Sequence, residues 1–253
     1  MKANVNRVPI QETHTLPSNG MLYKDLGIPA EITLRAMTTL DEKRRLSSTG
    51  MQVIPNLLNA CIIEPDNIDA GELKLFDLQF LMYKERIITY GPEYKVNLRC
   101  PHCGETFELK VNLDEIPVNL LPDDFEEPFK IGPLPVSKDV IDCKILSAND
   151  YTKIEREAKR IKSKFPDYEG DPEFMLSYQY KIVNINGEPA QPNKIQKYVE
   201  EMHMQDTRFF DSKYADIVDN IGLDISMVDE CPHCGRDVDY NLPVTDEFFR
   251  PTY

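Results

Sequence analysis

Apolar and polar residues alternate most strictly on either side of one short turn. Tyr94, Val96 and Leu98 alternate with Lys95, Asn97 and Arg99, and after a gap Phe107, Leu109, Val111 and Leu113 alternate with Glu108, Lys110 and Asn112. A period of two is the signature of half-buried strands, so residues 93–113 predict a hairpin. Much later Val238, Tyr240 and Leu242 alternate with Asp237, Asp239 and Asn241, predicting a third strand able to lie beside the first two. Nearer the N-terminus Ile32, Leu34 and Ala36 alternate with Thr33 and Arg35, and Thr38 with Asp41 three places on reads as a capping box opening a short helix. Pro55 at a first helical position introduces a helix with Leu57, Leu58, Cys61 and Ile62 on one face. Asp69 reads as the cap of a longer, strongly apolar helix through Leu73, Phe76, Leu78, Phe80, Leu81 and Met82, ending near Gly91 and Pro92.

The order of elements then restarts. Ile141, Cys143 and Ile145 alternate as a strand, and Ser147 with Asp150 repeats the capping box before a helix to Phe165 whose narrow stripe is Ile154, Ala158, Ile161 and Phe165. Asp171-Pro172 opens another helix, Asn186-Gly187 marks a tight turn, Asn193 reads as a cap before Ile195, Tyr198 and Val199, and Asp206 before Phe210, Tyr214, Ile217, Val218 and Ile221. Phe76-Asp77 with Phe80 and Phe210-Asp211 with Tyr214 stand at matching places. The fold class expected is therefore α+β, in two strand-plus-helices halves with the marks of a duplication. Its divisions are an extended N-terminal arm (1–20), a first α/β half (21–92), the first hairpin (93–113), a Pro-rich acidic linker or crossover (114–136), a second, mainly helical half (137–226), and a C-terminal turn and strand (227–253).

Candidate chemistry centres on the turns. Cys100-Pro-His-Cys103-Gly returns as Cys231-Pro-His-Cys234-Gly. Two Cys-x-x-Cys turns supply the four thiolates of a closed tetrahedral site, and thiolates favour Zn²⁺ over Mg²⁺ or Ca²⁺, so Cys100, Cys103, Cys231 and Cys234 are expected to hold one structural Zn²⁺ in a split zinc ribbon. Cys103 and Cys231 are 128 positions apart, so the metal would join distant parts of the chain. The same Cys-Pro-His-Cys sequence serves as a redox dithiol in thioredoxin-like folds, where a helix follows the first thiol. Here a strand follows each turn, and a redox pair needs no duplicate. His102 and His233 sit inside the turns and read as outer neighbours of the site or exposed, while Cys61 and Cys143 lie in apolar runs as buried thiols.

Composition narrows the partners. The 253 residues carry a net charge of −14, which argues against a general nucleic-acid binder and favours protein partners. No stretch approaches the length of an apolar membrane span, and residues 1–20 are polar without a signal-peptide core. Six cysteines, four in metal spacing, suit a reducing cytoplasm better than a disulfide scaffold. Lys153, Arg156, Lys159, Arg160, Lys162 and Lys164 form a local basic face that can meet RNA or an acidic helix, although a charge-laced surface helix is the commoner explanation. There is no Gly-rich phosphate loop, and His14 and His203 have no evident nucleophile and carboxylate around them, so no enzyme activity is expected.

Leu16-Pro17-Ser18-x-Gly20, the strand leading to Met37-Thr38-Thr39-x-Asp41-Glu42, the helix with Phe80-Leu81 and Arg86 ending Thr89-Tyr90-Gly91, and the Cys-Pro-His-Cys turn together resemble the baseplate hub assembly proteins of T-even-type contractile-tailed bacteriophages. The resemblance is good over residues 15–115 and weaker beyond. It implies a non-enzymatic role in tail assembly and virion morphogenesis, as a late protein: an assembly chaperone that leaves, or a minor hub component. It implies hub and tape-measure proteins as partners, and action in the host cytoplasm during assembly or in the virion tail baseplate. A chaperone would present an apolar groove, for which the helix at 73–88 is one candidate, though its composition suits a buried position better. The alternative reading is a zinc-ribbon nucleic-acid-binding or transcription-associated module, against which the overall acidity counts.

Overall fold

In a computed structural model, the described residues are 10–251. The expected N-terminal arm lies outside them as far as residue 9, but from Gln11 the chain is folded. Strand β1 (Gln11–Thr15) pairs antiparallel with β2 (Glu31–Arg35), which pairs with β3 (Ile62–Glu64). Between β2 and β3 run α1 (Thr39–Ser47) and α2 (Val53–Cys61). Helix α3 (Leu75–Tyr90) follows, then β4 (Glu93–Arg99) and β5 (Thr106–Asn112), a two-stranded hairpin.

The second part of the chain repeats this order. After β6 (Val118–Asn119), strand β7 (Phe129–Ile131) pairs with β8 (Ile141–Cys143), which pairs with β9 (Ile182–Ile185); α4 (Ala148–Lys164) and α5 (Pro172–Lys181) lie between β8 and β9. Strand β10 (Glu188–Pro189) adds an edge, and α6 (Pro192–Glu201) and α7 (Met204–Val218) lead through β11 (Gly222–Leu223) to a second hairpin, β12 (Ser226–Glu230) with β13 (Asp237–Asn241). A short helix α8 (Asp246–Phe249) closes the described chain.

The correspondence reaches the register. A bulge between Thr33 and Leu34 sets Leu34 opposite Ile62, the first residue after α2; a bulge between Asp142 and Cys143 sets Cys143 opposite Ile182, the first residue after α5. The capping boxes Thr38/Asp41 and Ser147/Asp150 follow those bulges at the same distance, and both are formed: the Asp41 carboxylate accepts from the Thr38 amide at 2.8 Å and the Asp150 carboxylate from the Ser147 amide at 3.3 Å.

Helix α3 is the common wall. Leu78, Phe80, Leu81 and Ile88 pack with Leu16, Tyr23, Ile32 and Leu34; Phe76 enters the second core with Phe129, Ile141, Tyr178 and Phe210; Met82 and Tyr83 face Tyr94, Val111, Leu242 and Phe248. No position of α3 is exposed, so the helix is surrounded, which removes it as the open groove of a chaperone. Its polar groups are tied down. Asp77, fully buried, accepts from the Ser18 amide at 3.0 Å and from the Tyr23 hydroxyl at 2.5 Å. Arg86 donates to the carbonyls of Gly91 and Glu93 at 2.6 and 3.0 Å, shaping the turn into β4. The Thr89 hydroxyl accepts from the Met37 amide at 2.9 Å. Gly20 has φ +70, and a Cβ there would stand 2.7 Å from the Ala30 nitrogen, so only glycine serves.

Several expectations are corrected. The second knuckle strand does not extend the first hairpin: β13 pairs with β12, so the knuckles tip two separate hairpins. The segment 114–136 is no free linker, since Leu121, Phe129, Ile131 and Leu134 are buried in the second core and β6 pairs with β11. Asp69 accepts from the Gly71 amide and caps only the 3₁₀ turn Ala70–Glu72, with α3 starting afterwards. Asp206 lies inside α7, which His203 caps, and its carboxylate accepts from the Val136 and Ser137 amides at 2.7 and 2.9 Å. Helix α6 begins at Pro192, ahead of Asn193, and Pro55 sits one residue pair inside α2.

Candidate metal centre

Each Cys-x-x-Cys turn is built the same way. The Cys100 amide donates to the Glu105 carbonyl at 2.9 Å and the Gly104 amide to the Cys100 carbonyl at 2.9 Å; in the second turn the Cys231 amide reaches Arg236 at 2.9 Å and the Gly235 amide reaches Cys231 at 2.8 Å. Gly104 at φ +79 and Gly235 at φ +67 take the left-handed conformation that closes the turn. The strands then hold the turns together: Phe107 and Val238 pack with buried Cys100 and Cys231, flanked by Leu98 and Leu109. The exposed His102 ring places Nε2 3.1 Å from the Asp237 carbonyl, a bond between the two hairpins in which the ring nitrogen donates.

The four sulfurs lie within 4.8 Å of one another. Cys100 Sγ is 3.7 Å from Cys234 Sγ, and Cys103 Sγ is 3.8 Å from Cys231 Sγ. A tetrahedron of sulfurs at the ~2.3 Å zinc–sulfur bond length has edges of about 3.8 Å. A disulfide would need about 2.05 Å. The donor set and spacing therefore fit a tetrahedral thiolate-bound cation, and the four residues could hold a metal ion.

Electrostatics asks for a cation as well. Desolvation works to raise the Cys100 thiol, but the amides of Cys103 and His102 outweigh it and bring it down to about 6. For Cys103 the Glu105 amide acts downward, yet desolvation and the neighbouring sulfurs push the thiol up to about 12. Without positive charge between them, four thiols so close cannot all ionise.

The other candidate residues are placed elsewhere. Cys61 and Cys143 are fully buried, and burial pushes the Cys61 thiol far up and that of Cys143 up to about 12, which makes both inert. His14 is held down at about 4 by burial and then by Lys84, and the His203 ring Nδ1 accepts from the Gln205 amide at 3.2 Å as a helix cap. His233 is exposed. Sequence reasoning noted Asp77 only as part of a repeated pair and missed Glu85; both are buried carboxyls of α3, Asp77 signalled by its apolar neighbours and Glu85, between Lys84 and Arg86, by nothing local.

These features define an α+β protein in which two hairpins far apart in sequence meet at a four-cysteine cluster; no helix among the described residues is long and apolar enough to cross a membrane. Residues 8–250 match the family model described as T4 bacteriophage base plate protein, and the chain belongs to that family. Searches of curated proteins and of solved structures found no match. Membership makes this a T4-type baseplate protein, with a virion tail context and phage baseplate partners.

Proposed function

We propose that the protein works without catalysis in building the central hub of the baseplate, as an assembly factor or minor hub component acting on hub or tape-measure proteins in the host cytoplasm. One structural Zn²⁺, held by Cys100, Cys103, Cys231 and Cys234, would supply a cross-link between the hairpins. The observation that carries the clamp is the meeting of sulfurs 128 positions apart at tetrahedral spacing. The non-catalytic reading rests on where the reactive groups go: the free thiols of Cys61 and Cys143 are buried and unionised, and Asp77, Asp206 and His203 hold backbone or side-chain partners of structural use. The two halves of the chain are diverged copies, a reading supported by matched strand order, matched bulges, matched capping boxes and matched knuckles.

Co-expression with the hub and tape-measure proteins of the same phage tests the role. A complex with one of them that survives size-exclusion chromatography is expected, and phage lacking this protein should accumulate tail parts without complete hubs. A protein that ignores both and instead elutes with nucleic acid in a salt-sensitive manner would contradict the proposal and favour the nucleic-acid module.

A further inference from the structure

The surface of α4 departs from the rest of the molecule. Every exposed position on that helix is basic except Ser163: Lys153, Arg156, Lys159, Arg160, Lys162 and Lys164. Its acids are Asp150, buried in the first turn and 3.9 Å from Lys153, and Glu155 and Glu157, half-buried at the flanks, where they reach Lys159 at 2.6 Å and Arg160 at 3.2 Å. In a chain of net charge −14 this is a concentrated field of the opposite sign. At the C-terminal end of α4 the apolar stripe does not stop at the core. It continues into an open groove of about 340 Å³ lined by Ile161, Phe165, Tyr168, Met175 and Leu176, with Phe165 53 % exposed and Tyr168 39 % exposed.

We propose that the α4 face and this groove form one docking surface for an acidic amphipathic helix of a partner protein. Apolar side chains along one edge of the incoming helix fill the groove beside Met175 and Phe165, and carboxylates on its flank lie over Arg156, Arg160 and Lys164. Charge complementarity selects the occupant: a nucleic acid would use the basic face and leave the apolar groove open, and a basic helix would be repelled. The loop after α4 carries Asp167, Glu169 and Asp171, of which Asp171 pairs with Lys162 at 3.0 Å. These acids bar the partner's carboxylates from the far rim, so the acidic flank of the helix is fixed on the α4 side. The surface names a partner chemistry only and does not depend on the partner being a hub protein.

The probe is a designed helical peptide with a leucine stripe flanked by glutamates, labelled and titrated with the full-length protein by fluorescence anisotropy at low salt. Comparison probes are the same peptide with glutamates replaced by glutamines, the same peptide with leucines replaced by serines, and a single-stranded oligonucleotide. The acidic leucine peptide should bind about tenfold or more tightly than each of the others, with the preference over the glutamine peptide shrinking as salt rises. The R156E/R160E double variant should abolish the charge preference, and M175E should abolish the dependence on leucine, while circular dichroism shows both variants folded. Equal binding of the glutamate and glutamine peptides, tighter binding of the oligonucleotide, or indifference of the acidic peptide to both variants would each overturn the proposal.

Discussion

At the scale of single residues, the notable expense is the burial of carboxyls inside α3. Glu85 is fully buried and accepts from the Thr89 hydroxyl at 3.1 Å; burial foremost raises its carboxyl to about 7, against the pull of Thr89, Cys61 and Arg35, with Asp41 adding to the rise. Asp77 is raised by burial to about 6, opposed by its bonds from Ser18 and Tyr23 and by Lys74. Asp41 shows the opposite balance: burial works upward, but the Arg35 guanidinium at 2.8 Å and the Thr38 groups hold it at about 2. A carboxyl whose folded value is raised keeps a proton that the unfolded chain has released. Its contribution is therefore fully present below the ordinary carboxylate range and is lost as pH rises through the folded value. Stability should fall between about pH 4.5 and 7 on account of Glu85, with Asp77 contributing a fall that ends nearer 6. Glu85→Gln should remove the upper part of that slope and stabilise the protein at about pH 8 by on the order of 2 kcal/mol. Urea melts at several pH values would read this; a variant with the same slope as the parent would show that Glu85 is ionised and paired in the fold.

At the scale of elements, α3 depends on what it fastens. Ser18 and Tyr23 both donate to Asp77, and the Tyr23 hydroxyl in turn accepts from the Lys74 amide at 2.9 Å, so one carboxylate ties the N-terminal segment to the start of the helix, beside the packing of Tyr23 on Leu78 and Leu81. Asp77→Ala should cost about 2–4 kcal/mol, because it leaves a buried amide and a buried hydroxyl without their acceptor. Amide exchange should show the segment around Ser18 opening first; uniform protection there would refute the fastening role. The Leu16-Pro17-Ser18-x-Gly20 and Thr89-Tyr90-Gly91 stretches that carry the family resemblance thus have a physical reading: these residues are joints around α3. Much of the element order was legible, because capping boxes and alternation are local signals, as at Thr38/Asp41, Ser147/Asp150 and the β4–β5 hairpin. What was not legible depends on distant partners. Asp69 and Asp206 look like helix caps, yet one serves a single turn and the other caps a loop some seventy positions away. Strand β12 was invisible because Ser226–Glu230 has no buried residue; its order comes from pairing with β13. The prolines of 114–136 masked a segment whose Leu121, Phe129 and Ile131 complete a core supplied by other elements.

At the scale of the whole molecule, the two knuckles bring distant parts of the chain together. The C-terminal segment returns to the first part: the Tyr94 hydroxyl donates to the Pro243 carbonyl at 2.8 Å, Phe248 packs on Tyr83 and Tyr94, and Arg250 pairs with Glu42 at 2.6 Å. A cross-link between Cys100/Cys103 and Cys231/Cys234 would close a very long loop of chain and hold that return in place. That the four cysteines meet was legible from their spacing. The separate hairpins beneath them were not, since alternation reports a strand and not its neighbour.

Native mass spectrometry of the purified protein before and after a strong chelator, with elemental analysis and a thermal melt of each sample, decides whether a metal clamps the two hairpins. One zinc per chain is expected, lost on chelation together with a large part of the stability, since thiolate zinc sites are worth on the order of 10 kcal/mol and couple to folding; Cys100→Ser and Cys231→Ser should lower both together. A protein that carries no metal and loses two hydrogens under oxidant and regains them under reductant, or one that loses zinc and melts unchanged, would contradict it.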